Sequence, residues 1–199
     1  MATTKIPALL QHIDRTLNRS TQYDFDEPPF AGKEYNTAMI TGHRWFNYNI
    51  PIDKLITMAI NQGVKHFYCG MALGADQLAA EILIARKLKW SAVIPCRDQH
   101  LLWKSRQQSH YKQLLEQATK QYVLYEKYNR GCMQARNLFM VKRSDICLAA
   151  FSGDPHGVGG GTATTFQMAR DHNLLIYQYI PAESRFHILE PAYHQLALF

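Results

Sequence analysis

The sequence predicts an α/β protein built on a doubly wound, mainly parallel six-stranded sheet with helices on both faces. Two observations carry this. From Asn36 onward, short apolar runs alternate with longer stretches of helical periodicity. Turn residues, glycine above all, separate the two kinds of segment. Strands covered on both faces read as continuous apolar runs, and right-handed crossovers wind such a sheet in both directions.

The elements follow in order. Residues 1–35 read as an arm: Leu9, Leu10, Ile13 and Leu17 recur at helical spacing within Pro7–Asn18, and Glu27, Pro28 and Pro29 then break regular structure. The core domain is expected over 36–181. Thr37–Thr41 is a first strand, and Ile50–Asn61 a helix ended by Gly63. His66–Cys69 is a second strand, followed by a helix from Ala75 to about Leu88. Ser91–Pro95, Gln121–Tyr125, Asp145–Phe151 and Leu174–Ile180 supply the remaining strands. Between them lie helices over Lys104–Ala118, Met133–Arg143 and Ala163 to about His172. Residues 182–199 form a tail, with Phe186, Ile188, Leu189, Tyr193, Leu196 and Phe199 available to cap the sheet or meet another subunit.

With 47% hydrophobic and 19% charged residues, the 199-residue chain has the composition of a globular domain rather than of a disordered one. Its formal charge of +6 suits an anionic ligand, yet the cations are scattered with no basic run. The four cysteines form no CxxC pair, and no metal-ligand spacing is present, so a reduced, cytoplasmic protein without a metal is expected. No apolar signal core or membrane-length run occurs.

In a doubly wound sheet, ligands sit beyond the carboxyl ends of the strands. The first strand ends in Thr41, Gly42, His43 and Arg44, where the guanidinium offers a fork of donors for phosphate or carboxylate. After the second come Gly70, Gly74 and Asp76, the last able to accept from ribose hydroxyls or to sit in a helix first turn. Gln99 and Trp103 follow the third strand, and the indole could stack on a base or simply pack. Arg136 and Asn137 open the helix after the fourth. After the fifth, Gly159, Gly160, Gly161 and Thr162 lead into a helix whose amides and dipole favour an anion. Neither GxGxxG nor GxxxxGK[ST] occurs, and no Ser-His-Asp set, Cys-His set or carboxylate pair is recognisable at this edge.

In order and at compatible spacing, Thr41–Arg44, Gly70–Asp76, Pro95 with Gln99 and Trp103, Arg136 and Asn137 with Asp145, and Gly160–Thr162 together resemble the YpsA-like branch of the SLOG superfamily. That superfamily joins the DNA-processing protein DprA with the LOG phosphoribohydrolases. The resemblance implies a Rossmann-like fold and a pocket for a nucleotide or an ADP-ribose-like ligand. It also implies association of identical subunits. LOG enzymes carry a glutamate that takes part in cleaving a base from a nucleoside monophosphate. Aligning Gly161 and Thr162 with their Gly-Thr pair puts Gly157 at the LOG proline and Thr165 at the glutamate. The hydroxyls of Thr162 and Thr165 remain able to contact phosphate or sugar.

Three functions are therefore expected in order. The first is binding of a nucleotide-derived small molecule. The second is a nucleotide hydrolase using Asp76, His43 or Asp98 in place of the missing glutamate. The third is DprA-like binding of single-stranded nucleic acid.

Overall fold

The computed structural model describes residues 34–153 and 160–191. The expected helix over Pro7–Asn18, Gly157 and Gly159 of the glycine loop, and Tyr193, Leu196 and Phe199 lie outside the described residues. The chain divides into two compact units, Met1–Lys33 and Glu34–Phe199, and only the second is described.

Seven strands form a single sheet: β1 (Thr37–Gly42), β2 (His66–Cys69), β3 (Trp90–Cys96), β4 (Lys120–Tyr125), β5 (Ile146–Ala150), β6 (Leu175–Ile180) and β7 (Arg185–Leu189). Their order is β4-β3-β2-β1-β5-β6-β7. The first six are parallel, and β7 returns antiparallel to β6. The expected count of six strands is thus one short. β7 was hidden in the tail because it follows β6 through the short turn Pro181–Ser184 rather than through a crossover helix. That turn closes with Ser184 at φ 51° and its amide on the Pro181 carbonyl.

The helices are α1 (Asn49–Asn61), α2 (Ala75–Ala85), α3 (Ser105–Leu115), α4 (Cys132–Val141) and α5 (Gly161–Asp171). α1 and α2 pack on one face, with α3 against α2, while α4 and α5 pack on the other. The core between the second pair and the sheet holds Met39, Val93, Met140, Cys147, Ala149, Phe151, Phe166 and Ile176. Every residue of β3 and β5 is buried, whereas the edge strands β4 and β7 are largely exposed or half-buried. The apolar runs of the central strands are therefore a consequence of burial on two faces.

Helix ends explain where the boundaries shifted. α1 closes with Gly63 at φ 97°, its amide on the Ile60 carbonyl and the Val64 amide on that of Ala59. α2 closes the same way at Lys87 and α5 at Asn173, both with positive φ. This paired-bond ending satisfies the last carbonyls of a helix. The helical pattern seemed to run to Leu88 because lysine carries no stop signal. Leu88 in fact donates its amide back to the Leu83 carbonyl.

From β1 the chain steps one way through β2 to β4, then returns to the other side of β1 at β5. The switch in strand order therefore lies between β1 and β5, where Gly42 is paired with Ala150. Both strands point their carboxyl ends at the same edge.

Candidate functional site

At the switch point the backbones come close. The His43 amide donates to the Ala150 carbonyl, and the Thr162 hydroxyl donates to the Gly42 carbonyl at 2.9 Å. A Cβ on Gly42 would stand 2.4 Å from that of Ala75 and 3.0 Å from that of Ala150. Gly42 thus lets α2 and β5 close on the end of β1. Gly74, at φ 83°, has the Arg44 and His43 carbonyls within 2.6 Å of where a Cβ would be.

α5 starts at this crevice. Gly160 is its N-cap, with φ −113° and no side-chain cap. Among the described residues, a Cβ added to Gly160 or Gly161 would meet nothing within 4 Å, and neither glycine has positive φ. Neither packing nor backbone strain calls for glycine here. Thr165 is buried, and its hydroxyl donates to the Gly161 carbonyl at 2.6 Å. Both threonine protons are therefore committed inside the protein, and what Gly160–Thr162 present outward is backbone.

His43 stands across the crevice. Its Nε2 accepts from the Ser152 amide at 3.1 Å and lies 3.1 Å from the Ser152 hydroxyl. An amide can only donate, so Nε2 is unprotonated. Burial also pushes the imidazole pKa below its usual value. The ring stacks on Trp45 at 4.9 Å between centroids and leans on Phe151 at 5.5 Å. Arg44 is exposed, and its guanidinium bonds to no described residue.

A second cluster sits behind the end of β2. Asp76 is buried in the first turn of α2, accepts from the Ala72 amide at 3.1 Å, and faces Arg136 Nη1 at 3.5 Å. Burial pushes its carboxyl up from the usual range, against the Arg136 guanidinium and the Ala72 amide. The same Nη1 donates to the Gly70 carbonyl. A Cβ on Gly70 would overlap the guanidinium, so a glycine here admits Arg136 to the strand end. In α4, Arg136 Nε is buried without a partner among the described residues, and Asn137 beside it is buried.

Gln99 donates to the Met71 carbonyl at 3.3 Å and to the Tyr111 hydroxyl at 3.2 Å, tying the loop after β3 to that after β2. Trp103 meets Tyr111 edge-on at 5.3 Å and is half-buried. Asp98 accepts from the Tyr128 amide at 3.1 Å, which holds its carboxyl below the usual range. Asp145, at the opposite end of the sheet, accepts from the Asn36 and Thr37 amides and the Thr37 hydroxyl.

The fold therefore brings Thr41, Gly42, His43, Gly160, Gly161 and Thr162 to one crevice. It sets Gly70, Asp76 and Arg136 beside it as a buried tie. The sequence reading missed Trp45 and Ser152. Trp45 lies directly after Arg44 in the strand-end motif, and that adjacency is the signal the sequence carries. Among the described residues no group of three His, Cys, Asp or Glu could hold a metal ion, and no helix is long and apolar enough to cross a membrane.

The family model for the YspA SLOG family matches residues 38–183. No curated protein is significantly similar. Among solved structures, DNA processing protein A from Streptococcus pneumoniae superposes with a TM-score of 0.54 at 16% identity. That match covers 72% of this chain and 50% of the other. DNA processing protein A from Helicobacter pylori, described for its single-stranded DNA binding mode, gives 0.51 at 17% identity, over 73% and 65%. The chain thus spans half to two thirds of these neighbours, and they share its fold.

Proposed function

From the premise that the chain belongs to the YspA SLOG family, we propose that it binds a nucleotide or nucleotide-derived small molecule in the crevice between β1 and β5. One observation carries the reading. Gly160 and Gly161 open α5 where, among the described residues, no packing or backbone demand calls for glycine and nothing stands within 4 Å of an added Cβ. A helix N-terminus without a capping side chain, at a topological switch point, suits a phosphate. Arg44 is exposed at the end of β1, where its charge already acts on Asp76, and can add charge toward a phosphate. The buried Arg136 Nε, without a partner among the described residues, is a donor that a polar ligand would satisfy.

Binding fits better than bond cleavage. Thr165 stands where LOG enzymes carry glutamate, Asp76 is committed to Arg136 and Ala72, and Asp98 is held ionised by Tyr128. Cleavage wants an acid or base free to act on the ligand, and both aspartates are already engaged by protein partners.

Calorimetry of the purified protein with nucleoside monophosphates and ADP-ribose tests the reading. Heat and a raised melting temperature are expected. Gly161→Asp should abolish both by placing a carboxylate in the open space, while the free variant stays folded. No heat with any of these ligands overturns the proposal.

A second reading, single-stranded nucleic acid, is favoured by one specific observation. Of the eight exposed large hydrophobic side chains among the described residues, seven lie along the carboxyl edge: Trp45, Tyr48, Ile50, Leu101, Leu102, Tyr125 and Tyr128. Arg44, Lys104, Lys127 and Arg130 occupy the same loops. Rings interleaved with cations form a surface on which successive bases can stack.

A further inference from the structure

We infer that the exposed face of Trp45 is a stacking wall for the planar base of the bound ligand, which makes a nucleobase, rather than phosphate and sugar alone, part of what this site recognises. The inference rests on the crevice reading above and assigns a role to a residue outside the expected site.

Four rings lead from the core to the surface. Phe166 in α5 meets Phe151 at 5.1 Å, Phe151 meets His43 at 5.5 Å, and His43 lies nearly parallel to Trp45, 13° apart at 4.9 Å. The first two are buried, and Trp45 is 59% exposed. Beyond His43, the only ring against the indole among the described residues is that of Phe46, tilted by 48° at 6.1 Å.

An exposed indole leaves a large apolar ring in water, although here it is held in one orientation. His43 is itself anchored by Ser152, so the wall has little freedom to lose when a ligand arrives. Its position is specific. His43 follows Gly42, whose carbonyl holds Thr162 of the α5 N-terminus, and Arg44 lies between the two stacked rings in sequence. A phosphate on the α5 amides and a base on the indole would therefore both lie at the end of β1.

Trp103, the stacking wall expected from sequence, is differently placed. Its ring meets Tyr111 edge-on, and it lies in the loop after β3, two strands from β1.

The test compares a base-bearing ligand with one that lacks the base. Wild type, Trp45→Ala and Trp45→Phe are titrated by calorimetry with AMP, GMP, CMP, UMP and ribose 5-phosphate. Indole fluorescence is followed in parallel, and the melting temperature of each free variant checks its fold. Purine monophosphates should quench wild-type fluorescence, and the quench should vanish in Trp45→Phe. Trp45→Ala should weaken nucleotide binding about tenfold or more, with partial recovery in Trp45→Phe. Ribose 5-phosphate should bind all three proteins with similar affinity. If nucleotides bind wild type and Trp45→Ala alike, the stacking wall is overturned and the phosphate crevice stands. If no ligand binds wild type, both fall.

Discussion

His43 joins the ends of β1 and β5 through a ring nitrogen that must stay unprotonated, because its partner is the Ser152 amide. Burial lowers the folded-state pKa below the ordinary value of about 6.5. The contribution of this link to stability is therefore fully present above that value, and it is lost as pH falls through the lowered folded-state pKa. Melting temperatures of wild type and His43→Gln, measured from neutral to acidic pH, check this. The glutamine oxygen can accept from Ser152 at any pH, so wild type should lose stability relative to the variant below about pH 6.5. Parallel profiles would count against the link. The role of His43 was half legible. Its place at a strand end followed from the motif, but its partner is 109 residues away in sequence.

At the scale of elements, the two kinds of glycine separate. Gly42 is required by the contact of α2 and β5 with β1, whereas Gly161 touches nothing a Cβ would meet. Gly42→Val should destabilise the protein by about 1–3 kcal/mol through overpacking. Gly161→Ala should leave stability within about 0.5 kcal/mol, since the position is exposed and its backbone ordinary. Chemical denaturation of both variants would show whether this contrast holds. In sequence the glycines look alike, because what distinguishes them is the density of other chain segments around each. β7 was missed for a related reason. Arg185–Leu189 alternates only weakly, and its pairing with β6 depends on the turn at Pro181–Ser184.

At the scale of the whole molecule, the carboxyl edge gathers Trp45, Tyr48, Leu101, Leu102, Tyr125 and Tyr128 from loops far apart in the chain. The sequence shows no aromatic–basic stripe, because its members follow three different strands. If the edge binds single-stranded nucleic acid, an oligo-dT strand should bind at low salt with an affinity that falls steeply as salt rises. Tyr128→Ala should weaken that binding and Lys127→Ala should flatten its salt dependence. No binding at low salt would remove this reading and leave the small-molecule crevice untouched.

The alternation of strands and helices, their parallel winding and the edge at which polar residues collect are legible in the order of residues alone. These follow from local apolar periodicity and from the handedness of crossovers, which act within short stretches of chain. The tertiary structure decided strand order and hence which loops face one another. It joined Thr162 to Gly42 and Ser152 to His43, and it left open space beside Gly160 and Gly161. It also turned Trp45 from one more aromatic residue into an exposed ring held on a buried column. Such properties depend on what surrounds a residue in three dimensions, and a chain carries no local mark of its distant neighbours.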